Sequence, residues 1–238
     1  MSDGSPLWLV LPTYDEAENL EAMVAAVGEE LPVEHRILVV DDDSPDGTGR
    51  IADRLASERD DLEVLHRSTK EGIGPAYIAG FRHALDRGAA LVIQMDADFS
   101  HEPSYLPAML KAIDGVDVVI GSRYVPGGGV SDWGPLRRLI SRCGSVYART
   151  ILGVSIQDLT GGFKVFRREV LEAIELTSIP SQGYAFQIET TYRALKTGFR
   201  VVEIPIVFRD RRVGESKMSG GIVFEAARRV PVMRRYRR

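Results

Sequence analysis

What this chain has little of narrows it first. It carries a single cysteine, Cys143, in 238 residues, so no disulfide can close within it and a reducing cytoplasm is the expected compartment. No stretch of 18 apolar residues occurs. The N-terminal apolar segment, residues 7–11, meets Pro12 after five positions. Neither a spanning helix nor a signal peptide is expected there. Histidines number only four, with no His/Cys cluster at zinc spacing and no Ser-His-Asp constellation. No Gly-x-x-x-x-Gly-Lys loop is present, and Gly72-x-Gly74 is too short to claim a dinucleotide. Hydrolase and dehydrogenase chemistries therefore lack their residues. Low-complexity linkers and internal repeats are missing too, so one domain is expected.

What is present begins with charge. The formal net charge is −4, yet residues 228–238 carry six arginines and no acid. The remaining 1–227 are therefore acidic, at about −10 by formal counting. An acidic body with a basic tip argues against nucleic acid as a partner. It fits a local contact with a membrane or with phosphate.

Apolar runs at 7–11, 36–40, 62–65, 90–95 and 116–120 read as buried strands. Helix-length amphipathic stretches lie between them at 16–30, 47–58, 75–87 and 103–113. Continuous rather than alternating apolar runs suit parallel strands covered on both faces. The alternation predicts an α/β fold, a doubly wound and mostly parallel sheet flanked by helices. Ligands of such sheets bind beyond the carboxyl ends of the strands. Further on, helices are expected near 135–152, 167–175 and 184–197, and a strand near 200–207.

Acids gather at those strand ends. Tyr14-Asp15-Glu16 follows the first, and its acids also suit a helix N-terminus. Asp41-Asp42-Asp43 follows the second, where three adjacent carboxylates repel one another unless a ligand or solvent relieves them. One of them is expected to meet ribose or a base edge, whereas Ser44-Pro45-Asp46-Gly47 reads as a turn and cap. The fourth strand ends in Asp96-Ala97-Asp98. Two carboxylates two residues apart in extended chain face one locus and suit a hard divalent cation that also binds substrate phosphates. His101, alone beside a turn, reads as a structural hydrogen-bonder.

Candidate cations for a diphosphate are Arg123 after Gly121-Ser122, Arg138 and Arg142 one helical turn apart, and Lys164 after Gly161-Gly162-Phe163. Residues 208–217 pack four more around Gly214: Arg209, Arg211, Arg212 and Lys217. That density favours an anion clamp.

Together, Leu11-Pro12-Thr13-Tyr14-Asp15-Glu16, the 41–48 segment, Asp96-Ala97-Asp98-Phe99-Ser100-His101-Glu102-Pro103, Gly121-Ser122-Arg123-Tyr124, Asp158-Leu159-Thr160-Gly161-Gly162-Phe163 and Gly214-Glu215-Ser216-Lys217 carry a resemblance. The chain resembles the dolichol-phosphate mannosyltransferases, or polyprenol monophosphomannose synthases, within the family 2 glycosyltransferases, from about residue 7 to 225. The resemblance implies a GT-A fold over 1–227, with a nucleotide-binding half at about 1–123 and an acceptor half at about 124–227. From its charge, the basic C-terminal tail 228–238 is expected to extend an amphipathic helix or tail onto anionic lipid. The resemblance also implies inverting transfer of mannose from GDP-mannose to a polyprenyl phosphate. Pro12, Tyr14, Glu16, Val40 and Asp42 would hold the nucleotide. Asp96, Ala97 and Asp98 would hold the diphosphate, with Asp96 and Asp98 binding Mg²⁺ or Mn²⁺. Arg123, Arg211 and Lys217 would meet the phosphates or sugar, and together with Asp98 they form the expected catalytic set. Some relatives have glutamine where Ser100 stands, so Ser100 stays out of the metal set. The acceptor implies work at the cytoplasmic face of a membrane, directly or through a separate anchoring subunit. The rival readings are a UDP-glucose-dependent polyprenyl-phosphate glucosyltransferase, a sugar-1-phosphate nucleotidyltransferase and a non-catalytic nucleotide-binding subunit of a membrane complex.

Overall fold

The computed structural model describes residues 6–32, 34–210 and 220–236. Its first half alternates strand and helix as the apolar runs require: β1 (Leu7–Thr13), α1 (Leu20–Glu30), β2 (His35–Asp41), α2 (Thr48–Glu58), β3 (Leu62–His66), α3 (Ile73–Asp86), β4 (Leu91–Gln94), α4 (Leu106–Ala112) and β5 (Val118–Ser122). The second half adds β6 (Gly129–Val130), α5 (Pro135–Leu152), β7 (Lys164–Arg167), α6 (Arg168–Ala173), α7 (Gly183–Lys196), β8 (Val201–Pro205), β9 (Val207–Phe208) and α8 (Gly220–Met233).

Seven strands form one sheet in the order β3-β2-β1-β4-β7-β5-β8. All neighbouring pairs are parallel except those of β7, which runs antiparallel to both β4 and β5. Alternate residues of each strand feed opposite sides. Leu7, Leu9 and Leu11 join the apolar layer under α1, α2 and α4, while Trp8 and Val10 join the layer under α3, α6 and α7. Burial on both faces is why these strands read as unbroken apolar runs. α3 approaches the sheet at Gly80, where a Cβ would lie 2.4 Å from Val10 Cγ1 and 3.0 Å from Val40 Cγ2. A side chain there would overpack the layer.

Two expectations about the second half change. Residues 164–167, where no strand is expected and Lys164 is a candidate phosphate-facing cation, form β7 in the middle of the sheet. The basic segment 228–238 does not begin at a boundary. Residues 228–233 continue α8, which buries Val230 and Met233 against the core. Tyr236 beyond it receives the Arg193 guanidinium 4.6 Å from its ring centre.

Candidate active site

The carboxyl ends of β1, β2, β4 and β5 all open toward one edge of the sheet, as the fold class demands. A cleft of about 370 Å³ lies there, lined among others by Lys70, Asp96, Asp98, Ser100, His101, Arg123, Trp133, Arg137, Thr160, Tyr184 and Gln187. β4 stops at Gln94, so Asp96 and Asp98 sit on the loop that follows rather than in extended chain. Phe99 takes a left-handed φ of 59° in that loop. The two carboxylates still meet in the cleft, but the bend brings them there, not strand periodicity.

Each is held separately. The Tyr77 hydroxyl donates to Asp96 Oδ1 at 2.7 Å, from a ring stacked against Phe81 and Phe186. Burial, together with the Asp96 charge, raises the Tyr77 pKa well above the usual tyrosine range, which keeps the hydroxyl a donor. The Ser100 amide donates to Asp98 Oδ1 at 3.0 Å. Ser100 Oγ lines the same cleft, is buried, and has no hydrogen-bond partner among the described residues. Among the described residues no third His, Cys, Asp or Glu completes a protein-only metal cage. Two hard carboxylates and a spare hydroxyl fit Mg²⁺ or Mn²⁺, cations that take their remaining ligands from water and phosphate.

The cationic wall is built around a buried pair. Arg123 Nε and Nη2 donate to Asp158 Oδ2 and Oδ1, each at 2.7 Å, and the Arg123 amide donates to Oδ2 at 3.0 Å. Burial pushes the Asp158 carboxyl up, but Arg123 and these bonds outweigh it and hold it below its usual value. The loop carrying Asp158 is pinned in turn by Glu203 of β8, which accepts the Gln157 and Asp158 amides at 2.7 and 2.9 Å. Trp133 packs beside Arg123, and Arg137 lies 4.3 Å from the Trp133 ring centre while pairing with Asp210 at 2.8 Å.

Residues 8–175 match the sequence profile of glycosyl transferase family 2. The chain is 50% identical over 217 residues to the undecaprenyl-phosphate mannosyltransferase of Micrococcus luteus, covering 91% of this chain and 89% of that one. It is 52% identical over 221 residues to the polyprenol monophosphomannose synthase of Mycolicibacterium smegmatis, covering 92% and 83%. The chain belongs to glycosyl transferase family 2. Solved structures of glucosyl-3-phosphoglycerate synthase from Mycobacterium tuberculosis share the fold of this glycosyltransferase. The complex with phosphoglyceric acid has a TM-score of 0.73 at 18% identity, covering 97% of this chain and 80% of that one. The complex with Mn²⁺, UDP-glucose and phosphoglyceric acid has a TM-score of 0.70 at 19%, with the same coverage.

The family 2 enzyme disposes its expected nucleotide residues unequally. Tyr14 lies beneath Lys70, whose ammonium is 3.5 Å from the ring centre. Glu16 is buried and accepts from Asn19 Nδ2 at 2.8 Å. Asp42 accepts from Arg67 Nη1 at 2.6 Å, and burial outweighs that arginine to raise its carboxyl. Asp41 is structural, taking the Ser44 hydroxyl at 2.6 Å, and Asp46 takes the Thr48 amide and hydroxyl as the turn reading required. Val40 points into the core against α3, so its side chain supports the strand and not the cleft. Pro12 is half-buried and Ala97 buried beside the paired acids.

Of the expected cations, Arg123 lines the cleft, whereas Arg138 and Arg142 are exposed on α5. Arg209 pairs with Glu102 at 3.0 Å. Arg211, Arg212 and Lys217 lie outside the described residues. His101, expected as a structural hydrogen-bonder, lines the cleft. The Asp96 amide approaches its Nδ1 at 3.4 Å, Phe163 and Phe208 flank it, and burial lowers its pKa. Sequence reasoning missed Tyr77, Asp158, Gln187 and Arg137. Asp158 had a signal, being an acid inside an otherwise uncharged glycine-bearing motif. Arg137 adjoined a noted arginine.

Lys164 is a correction. It is fully buried on β7, and its Nζ donates to Gln187 O at 2.8 Å and Thr190 Oγ1 at 3.2 Å. It braces α7 instead of binding substrate. Burial, only partly offset by Asp158, lowers its pKa from 10.5 to about 7. Between those values the unfolded lysine is protonated and the native one is not, so stability rises with pH. The expected slope is at most about 1.4 kcal/mol per pH unit. Urea unfolding across that range should show this rise in the natural protein, and Lys164→Met should flatten it.

Proposed function

We propose that this enzyme transfers mannose from GDP-mannose to a polyprenyl phosphate, with inversion, at the cytoplasmic face of a membrane. The carrying observation is that two unlike spaces adjoin. The polar cleft with Asp96, Asp98 and Arg123 shares Thr160 and Tyr184 with an apolar cavity of about 330 Å³. Ile140, Cys143, Tyr147, Ile188, Ala226 and Val230 line that cavity, between α5, α7 and α8. A nucleotide diphosphate suits the first space and an isoprenoid chain the second. The names of the Micrococcus and Mycolicibacterium relatives specify the same class of acceptor.

The acceptor phosphate is ionised near neutral pH, so its oxygen attacks the anomeric carbon without a general base. The bond to the donor's β-phosphate oxygen breaks on the opposite face, and GDP departs with the electron pair. Positioning and charge stabilisation then supply the rate. A divalent cation held by Asp96 and Asp98 would supply Lewis-acid stabilisation of the departing diphosphate. Tyr77 keeps Asp96 oriented for that role. Arg123, fixed by Asp158, and Arg137, fixed by Trp133 and Asp210, offset the repulsion between two anionic substrates. Arg211 and Lys217 would add to this from the adjoining segment.

A panel of labelled nucleotide sugars, offered with short polyprenyl phosphates and Mg²⁺ or Mn²⁺, tests the reading. Label should enter the organic phase from GDP-mannose alone, as a β-linked product. Entry from UDP-glucose alone would replace the reading with glucosyl transfer. No transfer from any donor would make the chain a nucleotide-binding subunit.

A further inference from the structure

We infer that Gln187 binds the sugar being transferred, its amide nitrogen and the Asp96 carboxylate meeting one hexosyl hydroxyl in a small space beside Gly162. The inference rests on the proposed glycosyl transfer and deepens it, by naming where the sugar is read as distinct from its diphosphate. Gln187, on α7, is 4% exposed and lines the cleft together with Asp96, His101 and Gly162. Its neighbours settle which way its amide points. Gln94 Nε2, at the end of β4, donates to Gly162 O at 2.9 Å and to Gln187 Oε1 at 2.6 Å. A backbone carbonyl only accepts, so the Gln94 group is the NH₂ and the Gln187 atom it meets is the oxygen. The Gln187 NH₂ is therefore turned the other way, and it donates to no described residue. Lys164 holds the same residue by its main chain, donating to Gln187 O at 2.8 Å. β4 and β7 thus fix both the backbone and the side chain of Gln187. Gln94 does so at a cost, because it is fully buried and its own Oε1 has no partner among the described residues.

The glycine opposite defines what that amide faces. A Cβ on Gly162 would stand 3.5 Å from Gln187 Nε2, from Asp96 Oδ2 and from His101 Cε1. Three side chains converge on one point that the glycine leaves clear. Neither conformation nor packing calls for glycine there. Gly162 is not among the residues of positive φ, and 3.5 Å is an ordinary contact distance. The Tyr77 hydroxyl occupies Asp96 Oδ1, so Oδ2 is the oxygen presented to this space. A neutral NH₂ beside a carboxylate selects its ligand by proton count. Phosphate has no proton to give Asp96 and would meet that carboxylate only through a cation. A hydroxyl donates and accepts at once, so it satisfies Asp96 Oδ2 and Gln187 Nε2 together. A carboxylate has lone pairs enough to hold a cation and a hydroxyl at the same time. The arginines of the cleft, Arg123 and Arg137, suit the diphosphate, and this corner suits the uncharged hexose.

Titration calorimetry with GDP-mannose and with GDP, each in the presence of Mg²⁺, separates the sugar from its nucleotide. Gln187→Met removes the donor, and Gly162→Ala fills the space with a methyl group that meets its neighbours at ordinary distance. Each should weaken GDP-mannose roughly tenfold and leave GDP within about twofold, the retained GDP binding reporting an intact fold. The transfer assay adds a second readout, run with GDP-mannose and its singly deoxygenated analogues. The natural enzyme should use one of those analogues worse by about tenfold or more in kcat/KM. Gln187→Met should lose most of that discrimination, since the hydroxyl it reads then has no donor to miss. A purely structural role would lower every donor alike and keep the ratio. Sugar nucleotide and nucleotide weakened alike in both variants, or both bound as well as before, overturns the inference. So does a pattern of deoxy discrimination that Gln187→Met leaves unchanged. Transfer from UDP-glucose alone would replace the proposed donor, and the same comparison of UDP-glucose with UDP would then decide the role of Gln187. Transfer from no donor would sink the proposed reaction, with the calorimetric comparison still deciding whether this corner binds a sugar.

Discussion

Asp98→Ala is expected to lower mannosyl transfer by about 10²–10³-fold while the protein stays folded. Asp98 is buried in the cleft on a loop, not in an apolar layer, and its removal relieves the repulsion between two neighbouring carboxylates. Thermal stability should therefore hold or rise as activity falls. The alternative role for Asp98 is local: accepting the Ser100 amide to shape the turn. Asp98→Asn separates the two, because it keeps an acceptor for that amide but loses the charge. Lipid-extractable mannose measured across a Mg²⁺ or Mn²⁺ titration should be low for both variants at every concentration. Near-normal turnover in either would falsify the metal role.

A second large effect is expected in stability. Asp158→Ala leaves the Arg123 guanidinium buried with its strongest partner gone, a loss of about 3–5 kcal/mol. For a chain of this length that corresponds to a fall in Tm of roughly 10 °C. Stability should largely return in the double variant Arg123→Met/Asp158→Leu, since an apolar pair of similar bulk costs little where an unpaired charge costs much. Transfer should stay low in that double variant, because Trp133 and Arg137 would face the cleft without Arg123. If activity returned with stability, Arg123 would be a structural residue alone. Calorimetry and the transfer assay, run together on the three proteins, separate these outcomes.

How much of this was legible follows from the range of each interaction. β1, β2, β4 and β5 were readable because burial on both faces leaves mostly apolar runs, a signal contained within four to seven residues. The paired acids were readable because they follow β4 directly. β7 was not, since Lys164-Val165-Phe166-Arg167 is short and bounded by charges. Lys164 looked like a surface cation because nothing local reports that its ammonium ends among backbone and hydroxyl oxygens of α7. Tyr77 falls within the helix expected at 75–87, but its hydroxyl meets an acid 19 positions away. Arg123 was singled out without its partner, which lies 35 residues further on. Arg138 and Arg142 were noted for lying together, and that both stand exposed on α5 became visible only once the buried side of that helix was known.

The antiparallel β7 also bears on where this chain can be divided. β5 closes the first half of the sequence, yet both of its neighbours, β7 and β8, come from the second half. A fragment ending at residue 123 would leave β5 with two naked edges and strip β4 of the strand that separates it from β5. The complementary fragment would hold β7 and β8 with no strand between them. The boundary expected near 123 is therefore not a boundary of folding. A split reporter or a circular permutant of this enzyme has to be opened in a surface loop elsewhere, because strands from both parts of the chain alternate across the middle of the sheet.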